Sequence, residues 1–211
     1  MVEAGSRTDA LYMVVEGTCS VQMTLKDGHL IEIQRTVGSW FPYSMALDTA
    51  SAYDLVATPG STFLVIRGTA NFKRLVHPVI KHNTSEYVAA LKGVFKDLSH
   101  HEAARLLAIS NIQSARKDHL VIREGHMSSS LALMVRGDCM MSKEGARLSV
   151  VGSPHLFGQV SIYHDLPNPV SVRTNTPAEF ILIPKKELMS LVQVCCGTCA
   201  KFCLAHNIIM L

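Results

Sequence analysis

The 211-residue chain contains no apolar run near the ~18 residues a membrane-spanning helix requires. Its opening stretch, MVEAGSRTDA, has no apolar segment of the kind a secretion signal carries, so a cytoplasmic location is expected. A strong charge of either sign is also missing. The 20 Lys and Arg against 17 Asp and Glu leave a net charge of +3, and the basic residues are scattered, which removes the electrostatic case for nucleic acid. There is no distributed disulfide framework. Cys19 and Cys139 stand alone, while Cys195, Cys196, Cys199 and Cys203 crowd the end, a pattern of reduced thiols. Gly-x-Ser-x-Gly, Walker A and Gly-x-Gly-x-x-Gly motifs are absent. A His-Glu-x-x-His motif beginning at His101 fails at Arg105, and no His-x-His pair occurs. Cys196-Gly197-Thr198-Cys199 has no second pair at zinc spacing. On a helix, Cys196, Cys199 and Cys203 would share one face, as packing residues do. These absences point away from an enzyme, a metal site and a cofactor.

What is present is a repeat. Set over one another at an offset of 120, VEAGSRTDALYMVVEGTCSV (2–21) and IREGHMSSSLALMVRGDCMM (122–141) align Gly5 with Gly125, Leu11 with Leu131, Val15 with Val135, Gly17 with Gly137 and Cys19 with Cys139. VGSWF (37–41) then matches VGSPHLF (151–157), and LVATPGSTFLVI (55–66) matches SVRTNTPAEFILI (171–183), with the offset drifting as loops differ in length. Each copy is rich in short, β-branched segments ended by Gly, the pattern of an antiparallel jelly roll, and Gly5, Gly17, Gly125 and Gly137 are expected to turn with positive φ.

Between and after the copies the pattern becomes helical. In 68–110, Phe72, Leu75, Val76 and Val79 fall on one face, Pro78 breaks or kinks the helix, and Ser99-His100-His101-Glu102 reads as a capping box before Ala103, Leu106 and Leu107. The expected class is α+β: two tandem β-jelly-roll (double-stranded β-helix) domains, each followed by helices. The expected boundaries are 1–67 for the first β-domain, 68–110 for connecting helices, 111–184 for the second β-domain and 185–211 for C-terminal helices. SARKDHLV (114–121) reads as a strand that the first copy lacks, so the chain is expected to begin inside its first repeat, as part of something longer.

The motifs VIREGHMSSSLALMVRGD and FGQVSIYHDLPNPVSV, with VEAGSRTDALYMVVEG in the first copy, resemble the cyclic nucleotide-binding domain family, in tandem as in regulatory subunits of cyclic-nucleotide-dependent kinases. The resemblance implies a phosphate-binding cassette of the form Phe-Gly-Glu, small and apolar residues, then Pro-Arg-Ala-Ala/Ser/Thr-Val. In it backbone N–H groups cradle the cyclic phosphate, Arg pairs with the phosphate and Glu accepts from the ribose 2′-hydroxyl. The second copy keeps Phe157, Gly158, Pro167, Ser171 and Val172 but has Gln159 for Glu and Asn168 for Arg. Pro169 removes a further donor, and from Phe157 to Ser171 the sole charge is Asp165. Its implied ligand-binding residues are Phe157, Gly158, Gln159, Val160, Ser161, Asn168, Pro169, Val170 and Ser171. The first copy departs further: Phe41, Tyr43, Ser44, Ala52 and Asp54 mark a pocket expected to be silent, with Tyr43 at the Glu position and Ala52 at the Arg position. Asp54 there would repel a phosphate, and Trp40, Phe41 and Tyr43 are expected as buried barrel aromatics.

Losing the cation costs a desolvated phosphate about 2–5 kcal/mol, roughly 30- to 5000-fold in affinity. Three non-enzymatic readings follow. The pair is a degenerate module that works through a protein partner or effector; or its second pocket takes a neutral ligand such as a purine nucleoside; or it is a weakened cyclic nucleotide (cAMP/cGMP) receptor.

Overall fold

The computed structural model describes residues 1–25, 28–95 and 98–194. The first strands are β1 (Ala10–Glu16), β2 (Cys19–Thr24), β3 (Leu30–Arg35) and β4 (Trp40–Phe41), followed by the short helix α1 (Tyr43–Ala46), β5 (Asp54–Ala57) and β6 (Thr62–Arg67). Three helices come next: α2 (Ala70–Leu75), α3 (His77–Val94) and α4 (His100–Ile109). The second set of strands is β7 (Asn111–Ala115), β8 (Leu120–Ile122), β9 (Ser130–Arg136), β10 (Asp138–Lys143), β11 (Ala146–Gly152) and β12 (His155–Phe157). Helix α5 (Gln159–His164), β13 (Ser171–Thr174), β14 (Ala178–Pro184) and α6 (Lys185–Val194) complete it.

Pairing is antiparallel throughout and follows one plan twice. The first set forms sheets ordered β4-β1-β6 and β3-β2-β5; the second forms β12-β9-β14-β7 and β11-β10-β13-β8. The register repeats as well. Leu11 pairs with Ile66 as Leu131 pairs with Ile183, and both ladders slip at the same place, beside Val15 and Val135. The turn glycines behave alike. Gly17 and Gly137 sit at φ +77° and +94°, where a Cβ would lie 2.5 Å from Ser61 Oγ and 2.6 Å from the Pro177 carbonyl oxygen. The fold is a mostly β, jelly-roll-like arrangement with few helices.

The segment 114–121 is two strand pieces rather than one. β7 ends at Ala115, and Asp118 turns the chain at φ +66° before β8 begins. Thr174 fixes that turn, its hydroxyl donating to the Arg116 carbonyl at 2.6 Å and accepting from His119 N at 2.8 Å. In the first set, the places of β7 and β8 hold only an isolated bridge from Val2 to Leu55 among the described residues.

The helical segment also corrects the single apolar face. Pro78 sits in the first turn of α3, where its missing N–H is an unpaired helix donor in any case, so α2 and α3 are separate helices. Phe72 is buried, but Leu75 and Val79 are exposed: Leu75 is the last residue of α2, and Val79 lies on the separate helix α3. The capping box is present as expected. Glu102 N donates to Ser99 Oγ at 3.1 Å and Ser99 N to Glu102 Oε2 at 2.8 Å, with Ala103, Leu106 and Leu107 buried.

One buried cluster runs from Val14, Val21 and Leu55 in the first set, through Leu91 and Leu107 on the helices, to Leu133 and Ile181 in the second. A second cluster, with Ala132, Met134, Cys139, Phe157 and Phe180, fills the space between the two later sheets. Helix α3 is tied to that part of the protein by Arg136, which binds Glu86 and also Glu179 at 3.4 Å. No helix among the described residues is long and apolar enough to cross a membrane. The Cys195–Cys203 cluster lies outside the described residues.

Candidate ligand site

The second cassette begins where β12 stops. Gly158 takes φ +87°, and a Cβ there would stand 3.2 Å from the Ser130 carbonyl oxygen, so a larger residue would push the turn off the β8–β9 loop. Gln159 opens α5, half-buried, and Val160 beside it is half-buried too. Phe157 and Ile162 are buried as core. Ser161 Oγ donates to the Leu166 carbonyl at 2.9 Å and so closes the loop after α5. Lys185, at the start of α6, binds the Asp165 carboxylate, which ties the loop to the next helix.

Asn168 closes the arm. It is 5% exposed, and its Nδ2 donates to the His126 carbonyl at 2.6 Å and to Ser128 Oγ at 2.9 Å. The backbone doubles the tie: Asn168 N donates to His126 O at 3.0 Å, and Gly125 N donates to Asn168 O at 2.9 Å. Ser171 Oγ adds a third point by accepting from Glu124 N at 3.0 Å. Both protons of the amide are therefore used within the protein. Pro169 is exposed, and Val170 packs partly buried against the later cluster.

A cavity of about 310 Å³ lies between Asn168 and the β8–β9 loop. Ile122, Ala132 and Leu182 form its apolar wall, and Ser128, Ser129 and Ser130 its hydroxyl side. Arg123 and His126 also line it. The cassette itself has no cation, but the opposite wall does. Sequence reading passed over Arg123, although it stands in the VIREGHMSSSLALMVRGD motif three residues before His126. His155 packs against Phe157 with ring centres 4.7 Å apart and planes tilted by 47°, and burial holds its pKa below the usual imidazole value. Among the described residues, no group of three His, Cys, Asp or Glu is placed to hold a metal ion.

Residues 112–195, the stretch that builds this cavity, match the model of the cyclic nucleotide-binding domain family. The match falls on the second unit and does not extend to the first. Over nearly the whole chain the fold is similar to the regulatory domain of Toxoplasma gondii PKA in co-crystal with cAMP. The TM-score is 0.57 at 13% identity, over 98% of this chain and 82% of that one. It is also similar to PKAR CBD2 bound to Sp-2Cl-cAMPS, with a TM-score of 0.51 at 15% identity, over 62% of this chain and 86% of that one. At such identities the likeness concerns the fold.

The backbone bonds of the second unit's cassette arm recur in the first unit. Gly5 N donates to Ser51 O and Ser51 N to Ser6 O, each at 2.8 Å, the same pair of bonds that joins Gly125, Asn168 and His126. Ala4 N donates to Asp54 Oδ1 at 2.7 Å, as Glu124 N does to Ser171 Oγ. By this register Ser51, one residue before Ala52, occupies the place of Asn168. The Asp54 carboxylate serves as a turn acceptor. The interior differs more. Tyr12 stands where Ala132 lines the second cavity, and Tyr53 where Val170 stands. Phe41, Tyr43 and Tyr53 are all buried, with Phe41 edge-on to both tyrosines at 6.2 Å. Tyr53 Oη accepts from Tyr43 N at 3.3 Å, and burial pushes the Tyr43 hydroxyl up to about 12. Ser44 and Ala52 are buried beside them. Trp40 is half-buried, with its ring centre 4.6 Å from that of Tyr43.

Proposed function

We propose that this protein is a non-catalytic regulatory module with two tandem β-domains, bounded as 1–67 and 111–184, linked by helices over 68–110 and followed by helices from 185. Neither pocket holds a cyclic phosphate with normal affinity. The observation that carries this reading is Asn168. Where the family pattern has Arg, a buried neutral amide spends both its protons on His126 O and Ser128 Oγ. Gln159 in place of Glu weakens the ribose contact as well. The first pocket is silent because Tyr12, Tyr53 and Phe41 fill it. Output passes to a protein partner or effector through helix α6, whose Lys185 is joined to the cassette at Asp165 and, through its backbone, to Ser129 O at 2.9 Å. The buried free thiols Cys19 and Cys139 suit a reducing, cytoplasmic setting.

The second cavity supports a further reading. Its volume of about 310 Å³, three serines and apolar wall suit a purine nucleoside, with the hydroxyls of Ser128–Ser130 reaching the sugar. Thermal-shift titration with cyclic AMP, cyclic GMP, adenosine, guanosine and inosine separates the readings, because ligand at about 100 times its Kd adds about 2.7 kcal/mol. A shift with nucleosides alone selects the retuned pocket, and no shift with any selects the silent module. A shift with cyclic AMP or cyclic GMP that disappears in Arg123→Ala would overturn the proposal, because it would show that the cation on the opposite wall replaces the cassette arginine.

A further inference from the structure

The seam between the two units holds another cavity, away from the second cassette. It encloses about 380 Å³ between the β3–β4 turn and the start of β7. At its base is Arg35, the last residue of β3, only 6% exposed. Its Nη1 donates to Asn111 Oδ1 at 2.5 Å, and its Nη2 to the Ser110 carbonyl at 2.7 Å and to the carbonyl of Ala108. Its Nε is buried with no hydrogen-bond partner among the described residues. All three acceptors are neutral. Arg35 makes no ion pair among the described residues. Among the described residues, Glu187 on α6 acts on it electrostatically without closing to an ion pair.

A guanidinium taken out of water without a counter-charge is unfavourable, and a buried donor left unmade adds to that cost. The fold nevertheless keeps Arg35 there, beside an open volume. The remaining walls are of two kinds. Ser39, Ser110 and Asn111 are polar, while Trp40, half-buried, and Ile112 offer a flat apolar side. The volume is far larger than an inorganic oxyanion and lies within the range of small-molecule sites.

We infer that this seam cavity binds a small organic anion, with its carboxylate or phosphate on Arg35 and its flat apolar part against Trp40 and Ile112. Nη2 is spent on two carbonyls, so a head group would take Nε and the remaining proton of Nη1, a side-on pair that suits carboxylate or phosphate, and ring stacking with Trp40 adds a contact that free phosphate cannot make. Because the cavity joins β3 and β4 to Ser110, Asn111 and Ile112, an occupant would fasten the first unit to the second.

Trp40 is the single tryptophan of the chain, so its fluorescence reports on this cavity alone. The full chain is titrated with benzoate, phenyl phosphate and inorganic phosphate, and each is repeated on Asn111→Asp. That variant is isosteric at an exposed position and places a carboxylate where Asn111 already meets Arg35. The expected result is a saturable change with benzoate or phenyl phosphate, the better of the two identifying the head group. Inorganic phosphate should bind at least about tenfold more weakly. In Asn111→Asp the response should weaken by about tenfold or more, while the thermal midpoint rises by about 3 °C. No saturable change with either aromatic probe, inorganic phosphate binding as well as they do, or an unchanged response in Asn111→Asp would each overturn the inference.

Discussion

The two units share a backbone and differ in what fills it. Strand register, the slip beside Val15 and Val135, the positive-φ turns at Gly5 and Gly17 against Gly125 and Gly137, and the bonds of the cassette arm are the same in both. The side chains that would shape a pocket are not. Ala132 leaves a cavity in the second unit, and Tyr12 stands at that position in the first. Backbone hydrogen bonds hold the jelly roll whatever lines it, so the two copies can differ inside and keep one fold. The second lesson concerns edges. β14 is paired on both sides, by β9 and β7, whereas among the described residues β6 pairs with β1 alone, and Leu64 is 44% exposed where the matching Ile181 is fully buried.

Substitutions can break this comparison, beginning with the shared turns. Gly137→Ala should cost about 2–4 kcal/mol, because a Cβ at positive φ meets a fixed carbonyl. Gly17→Ala should cost about 1–3 kcal/mol, since the atom it meets nearest is the movable hydroxyl of Ser61. Urea denaturation of the two variants checks the order. Ala132→Tyr converts the second interior into the first. It should cost about 1–3 kcal/mol as overpacking and remove any ligand-induced thermal shift. A variant that still shifts would mean that the ligand lies elsewhere.

The cassette arm gives a smaller effect. Asn168→Ala loses two buried hydrogen bonds that tie the arm to the β8–β9 loop and should cost about 1–2 kcal/mol, against about 1 kcal/mol for Ser51→Ala, where Ser51 Oγ bonds locally, donating to Tyr53 O at 2.6 Å and accepting from Tyr53 N at the long distance of 3.4 Å. The smallest effect is the pH dependence that His155 contributes in the second unit. His155 is neutral in the fold and its pKa lies below the unfolded value, so its contribution is complete above about pH 6.5 and is lost as pH falls through the folded value. Denaturation midpoints followed downward from pH 7 should show a slope that His155→Phe reduces.

Much of this fold was legible in the chain because a repeat states the same pattern twice. The strands, the turn glycines and the capping box at Ser99 and Glu102 all follow from local chemistry. What was not legible depended on partners far away in sequence. Leu75 and Val79 carry the helical period of Phe72, yet both are exposed, and Pro78 places Val79 on a separate helix. Nothing in residues 114–121 shows that Thr174 bends them into two strands. The equivalence of Ser51 with Asn168 shows only in bonds to Gly5 and Gly125, because the loops before them differ in length. Arg123 and Arg35 were missed since each is one basic residue among scattered ones. Their surroundings, a pocket wall and a buried seam, come from strands that sequence spacing does not bring together.

The central claim is that the second cassette keeps its backbone cradle and has lost its phosphate grip. Calorimetric titration of cyclic AMP into the unmodified chain and into the double variant Gln159→Glu with Asn168→Arg tests it most directly. The account predicts no saturable heat for the unmodified chain and a gain of roughly 30- to 5000-fold in affinity for the variant. Tight, saturable binding by the unmodified chain, or no gain in a variant that remains folded, would contradict it.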